Sequence, residues 1–255
     1  MRPDLSCLDA EQKLLIAHMK DLFAMRGRGR TCFSSFLSEG EAAVVRQYAA
    51  QQGEDVVFYG GYEGAGRVMA GMFPDYEEPS DDAFPMKRIF IGGRMTEGLT
   101  HRDYMGSILG LGIERSACGD IVTADAGAYV MLAPAAASLV MNELTKVGRV
   151  GVKCRECAAD EKICRSDDIA YRPETVSSLR LDCVVSAAAN LSREKSAALI
   201  RSGAVSVDHF PVTETSAQVA EKSLISVRGY GRFVLSEVGG TTKKNKIHIT
   251  IGKYQ

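Results

Sequence analysis

The chain has 255 residues, 45% of them hydrophobic and 25% charged, enough to bury a sizeable core as one large domain or as two or three small ones. Its formal net charge of −1 argues against a nucleic-acid partner for the chain taken as a whole. No apolar run approaches the roughly 18 residues needed to span a bilayer, and the start, Met1-Arg-Pro-Asp-Leu-Ser6, lacks the apolar core of a signal peptide, so no membrane contact and a cytoplasmic location are expected.

The charge is unevenly spread. Residues 1–175 hold 20 Lys and Arg against 26 Asp and Glu, whereas residues 176–255 hold 11 against 6. Such asymmetry points to a nucleic-acid-binding appendage on a more acidic body. The seven cysteines, Cys7, Cys32, Cys118, Cys154, Cys157, Cys164 and Cys183, are odd in number and scattered, which fits reduced thiols better than a secreted disulfide framework.

In chain order, Leu14, Leu15, His18, Met19, Leu22 and Phe23 recur at helical spacing, and Ser38-Glu-Gly-Glu41 forms a capping box ahead of a second helix that ends at Gly53. Strands are expected at Asp55–Tyr59 and Arg67–Phe73, joined by a turn containing Gly60, Gly61, Gly64 and Gly66. These glycines do not open a helix after a strand, so a dinucleotide loop is rejected. Residues 1–82 therefore read as a small α/β domain, closed by the Pro- and acid-rich stretch Pro74–Pro85.

Residues 83–160 read as strand 88–91, helix 101–111, strands 120–124 and 128–132, helix 135–147 and strand 151–154. That β-α-β-β-α-β order predicts a ferredoxin-like domain, the sandwich also used by RNA-recognition modules. Phe90 and Tyr129 are its only aromatic candidates for stacking a base. Thr100 and Asp103 supply a reciprocal helix cap, and His101, Arg102 and Arg115, near helix termini, are candidates for a secondary RNA contact. His101 and Asp103 lie two apart on a helix and point to different sides, which disfavours an acid/base pair. Cys154 and Cys157 have metal-biting spacing with Cys164 nearby, but no second closing pair follows, so no metal, no cofactor and no catalytic residue is expected.

After a linker at 161–175, residues 176–255 begin with a helix at 180–189, broken at Asn190 before Ser192 caps a helix that runs to Ser202. Arg193 and Arg201 lie on one flank about two turns apart, roughly 12 Å. The free N–H groups at the start of this helix, together with Arg193 and Lys195, make a natural seat for phosphate. Strands at 204–207 and 224–227 follow, then a tight hairpin, Arg228-Gly-Tyr-Gly-Arg232, that presents two arginines and Tyr230, and a second cluster with Lys243 and Lys244.

These C-terminal motifs, from Leu179-Arg-Leu-Asp182 through Leu191-Ser-Arg-Glu-Lys195 to Val227-Arg-Gly-Tyr-Gly-Arg-Phe233, resemble an S4-type RNA-binding domain. Together with Leu99-Thr-His-Arg-Asp-Tyr-Met-Gly106, Gly119-Asp120, Val147-Gly-Arg149 and Thr241-Thr-Lys-Lys244, they make the chain resemble the YlmH family, which has plant relatives known as photosystem II S4-domain proteins. The resemblance implies a noncatalytic, monomeric factor that binds rRNA and tRNA on the large ribosomal subunit in ribosome-associated quality control. It places Arg180, Ser192, Arg193, Lys195, Arg201, Arg228 and Arg232 at RNA-contacting motif positions. Asp208, where the motif often has Asn, and Glu63-Gly-Ala-Gly66 before Arg67 depart from the family pattern. The alternatives are an RNA-modifying enzyme of the pseudouridine synthase kind that docks through the same appendage, or an assembly or cell-division partner.

Overall fold

The computed structural model describes residues 10–158, 161–163, 169–242 and 245–254, and the chain divides into two compact units, 1–165 and 166–255. In the first, α1 (Ala10–Arg26) and α2 (Glu39–Gln52) pack on a small antiparallel sheet of β1 (Cys32–Phe33), β2 (Val57–Tyr59) and β3 (Met69–Met72), ordered β1-β3-β2. Glu41 accepts from the Ser38 N–H at 2.7 Å and completes the capping box, and Gly53 leaves α2 at φ 71°. Ile16, Met19, Leu22 and Phe23 form the buried stripe of α1. Leu14 and His18, assigned to that stripe from spacing, instead face outward.

The larger sheet holds β4 (Lys87–Gly92), β5 (Cys118–Ala124), β6 (Gly127–Leu132) and β9 (Lys153–Glu156), with α3 (His101–Leu109) and α4 (Pro134–Glu143) between its strands. Its order is β5-β6-β4-β9 and every neighbour is antiparallel. Ile89, Ile91, Ala128, Val130 and Leu132 line the helix-facing side and pack with Tyr104, Ile108, Ala137 and Val140. The expected helix 135–147 stops at Glu143 because Thr145, Val147 and Val150 are β-branched. They enter a short hairpin, β7 (Lys146–Val147) and β8 (Val150–Gly151), turned at Gly148 with φ 58°.

The opposite side of the sheet is also covered. Val122 and Met131 share a core with Phe36, Tyr62, Met69, Phe73 and Phe84, so residues on either side of the 82/83 boundary drawn from sequence are packed together.

The second unit carries β10 (Ile169–Val176), α5 (Leu181–Ala189), α6 (Arg193–Arg201), β11 (Val205–Val207), β12 (Phe210–Pro211), β13 (Leu224–Val227), β14 (Gly231–Thr241) and β15 (Ile247–Tyr254). They form one sheet, ordered β10-β15-β14-β13-β11-β12. β10 pairs with β15 through eight residues, from Ile169 opposite Tyr254 to Val176 opposite Ile247. The second part of the stretch 161–175 expected as a linker, from Ile169 on, is therefore an edge strand, and its Pro173 sits where an edge tolerates a missing N–H. Leu181, Val184, Val185 and Ile200 from the two helices close over Val205, Ile225, Val227, Phe233 and Leu235.

Candidate nucleic-acid interface

Three local structures position the basic side chains of the second unit. The first is the start of α6, where the Ser192 hydroxyl oxygen accepts from the Lys195 N–H at 3.2 Å. The remaining N–H groups of that turn point outward beside Arg193 and Lys195.

The second is a carboxylate. Asp182, 9% exposed at its side chain, accepts from Arg180 Nε at 3.1 Å and from Arg193 Nη2 at 2.9 Å, and it also accepts from the Cys183 N–H at 3.0 Å. Burial alone would raise its pKa, but the hydrogen bonds from the two arginines prevail and hold it at about 2. The same bond raises the pKa of Arg193. Both guanidinium groups remain open to solvent, 39% and 59% exposed. Two cations on one anion leave a net positive charge, so the pairing fixes their direction without cancelling them.

The third is the β13–β14 hairpin. Gly229, at φ 83°, turns it, and the Tyr230 N–H donates to the Val227 carbonyl at 3.0 Å. Tyr230 rests partly on the core, and the Lys195 ammonium lies 5.6 Å from its ring centroid. This cation–π contact joins the helix start to the hairpin. Arg232 stacks over Tyr254 at 4.9 Å, and Arg228 is exposed while its N–H donates to the Ala204 carbonyl at 2.9 Å.

Beside the hairpin an open cleft of about 460 Å³ is lined by Gly203, Ser206, His209, Ser226, Arg228 and Arg232, among others. It opens where α6 ends, just past the exposed Arg201. The β11–β12 turn shapes its wall: Asp208 and His209 both have positive φ, 49° and 72°. Asp208 accepts from the Leu224 N–H at 2.8 Å and from the Ser223 hydroxyl at 3.1 Å. It is thus a tether of the turn. Sequence reasoning missed Asp182, Ser206 and His209; only Asp182 had a readable signal, an acid two residues after Arg180.

The other expected contacts fall elsewhere. Lys243, Lys244 and Cys164 lie outside the described residues. His101 and Arg102 are exposed at the start of α3 in the first unit. There Asp103 accepts from the N–H and hydroxyl of Thr100, at 2.8 and 2.7 Å, which lowers its pKa. Arg115 is half-buried, its pKa is lowered by that burial, and it donates to the Cys118 and Gly119 carbonyls at 2.7 and 3.1 Å. Arg67, whose role the departure at 63–66 left open, also donates to the Cys118 carbonyl, at 2.9 Å. Asp120, lifted out of register by a bulge in β5, accepts from Tyr62 and from the N–H groups of Gly66 and Arg67. The Cys154 thiol donates to the Leu144 carbonyl, and among the described residues no three His, Cys, Asp or Glu side chains gather around a metal position.

The fold and these side chains define a mixed α/β protein of two units whose second unit carries cations at a helix start and at a hairpin. Residues 81–161 match the family model described as "Putative RNA-binding domain in YlmH". The chain is 31% identical over 224 residues to the ribosome-associated protein quality control protein P2 of Bacillus subtilis (strain 168), covering 87% of this chain and 86% of that one. Its fold is similar to that of the cell division protein ylmH from Streptococcus pneumoniae, with a TM-score of 0.52 at 23% identity over 62% of this chain and 97% of the other. The chain belongs to the YlmH family. Among the described residues no helix is long and apolar enough to cross a membrane.

Proposed function

We propose that this chain is a noncatalytic, monomeric RNA-binding protein that associates with rRNA and peptidyl-tRNA on the large ribosomal subunit in ribosome-associated quality control, acting in the cytoplasm. In this reading the β-α-β-β-α-β region is a ferredoxin-like domain, supported by its strand order, and α5, α6 and the β13–β14 hairpin are the working parts of an S4-type domain. The relative from Bacillus subtilis, named for ribosome-associated quality control, and the family model for an RNA-binding domain support it.

The observation that carries the proposal is the Lys195–Tyr230 contact. It gathers the α6 start, with Arg193 oriented by Asp182, and the hairpin bearing Arg228 and Arg232 into one cationic ridge. Spaced cations flanking free helix N–H groups suit a sugar-phosphate chain, whose contacts are made mostly to phosphate. The test is cosedimentation of the full chain with purified large subunits. K195E/R228E keeps the wild-type melting temperature and leaves the pellet fraction, while cosedimentation equal to wild type would show that the ridge is not the docking surface.

A further inference from the structure

The central sheet of the first unit offers two places for a nucleic acid, and the structure closes one. On the face that would stack bases, Phe90 and Tyr129 lie 4.9 Å apart between centroids, and the Arg155 guanidinium covers Phe90 at 4.7 Å. Glu161 holds Arg155 from above through bonds of 2.8 and 2.7 Å and accepts a hydrogen bond from Tyr129. Further along the same face, Val122 and Met131 are buried in a core with Phe36 and Tyr62. A base has no bare ring to stack on.

The end of the sheet where β4 finishes is different. Gly92 pairs with Gly127 and Lys153, so the β5–β6 turn and the start of β9 meet there. Gly93 packs so closely on the Gly151 carbonyl that a Cβ would lie 2.7 Å from it, and the Gly148 N–H donates to the Ser107 hydroxyl of α3 at 3.3 Å. These contacts fix the loop into α3 and the β7–β8 hairpin at one rim. The rim carries Arg94, Arg102, Lys146, Arg149 and Lys153, all exposed and none in an ion pair with a described residue. Elsewhere in this unit Arg26, Lys87 and Arg155 are each bonded to a carboxylate, and the exposed Lys13, Lys20 and Arg28, also without an ion pair among the described residues, are spread along α1 and the turn after it rather than gathered at one rim. Glu97, Asp103, which lies beside Arg102, Asp125 and Glu143 share the rim, and the five cations outnumber them by one.

We propose that this rim is a second RNA contact, one that holds the phosphodiester backbone without reading bases. It rests on the RNA-binding reading above and adds where the first unit touches the strand. Unpaired exposed cations bind polyphosphate by releasing its counterions, and neither an aromatic platform nor a cleft is needed.

The experiment measures affinity of the full chain for a labelled RNA stem-loop of mixed sequence across a salt series, for wild type, R94E/R149E/K153E, K195E/R228E, the combined variant, and the charge-matched control K13E/K20E/R28E. The rim variant should melt like wild type, bind about tenfold more weakly, and flatten the slope of log affinity against log salt by about two. The combined variant should lose more than either parent, and changing the loop sequence of the RNA should leave the rim effect unchanged. Wild-type affinity and slope in the rim variant, or an equal loss in the control, would overturn the rim assignment and leave the ridge standing. A loss in the rim variant with none in K195E/R228E would instead overturn the ridge and keep the rim. Failure of wild type to bind the RNA would overturn both.

Discussion

At the scale of single residues, Asp182 organises the ridge. Its carboxylate sits at a pKa of about 2, below the roughly 3.9 of an unfolded aspartate, so its contribution is full above that value and fades as pH falls toward 2. The shift corresponds to about 2 kcal/mol at neutral pH. D182N should lose a stability of that order at pH 7, and denaturant titrations of variant and wild type should draw together as pH falls below about 4 and converge only at about pH 2 and below. A constant gap across the range would show that shape rather than charge is what Asp182 supplies. Tyr104 tests the opposite case. It is 1% exposed and its hydroxyl has no hydrogen-bond partner among the described residues, so Y104F should be neutral or more stable by about 1 kcal/mol in the same titration, because no bond is lost and a buried polar group disappears. A marked loss would mean that the hydroxyl is satisfied.

At the scale of elements, the sequence showed what local chemistry dictates. The capping box at Ser38 and Glu41, the Ser192 cap, Gly203 at φ 72° and the alternation of strands and helices between Lys87 and Glu156 were all legible, because each depends on neighbours a few residues away. Pairing across long separations was not. β10 looked like a linker because Arg172, Pro173 and Glu174 carry the polar composition of one, and only its ladder with β15 makes it a strand. The basic residues of the ridge could be picked out by charge and motif, whereas the bond from Arg193 to Asp182, eleven positions away, and the Lys195–Tyr230 contact needed the fold. Arg115 showed the converse, a cation whose sequence position suggested a ligand but whose guanidinium ties backbone carbonyls. The β11–β12 turn yields a prediction at this scale. D208A places Ala at a positive φ and strips the Leu224 N–H and Ser223 hydroxyl of their acceptor. It should cost about 2 kcal/mol in chemical unfolding, and an unchanged midpoint would contradict the tether.

At the scale of the whole molecule, the division of charge matches the division of the fold. The acidic residues outnumber the basic ones before Val176 and the reverse holds after it, close to the boundary between units at 165/166. Each unit has its own apolar core. On the proposed function, the strength of the grip on RNA should be set by a few oriented cations, above all at the α6 start and the β13–β14 hairpin. The most direct test is ultraviolet crosslinking of the full chain to the RNA it binds in cells, followed by mass mapping of the modified peptides. The crosslinked peptides should include residues 191–202 and 227–233. Crosslinks that leave both segments unmodified while marking other parts of the chain would contradict the proposed function.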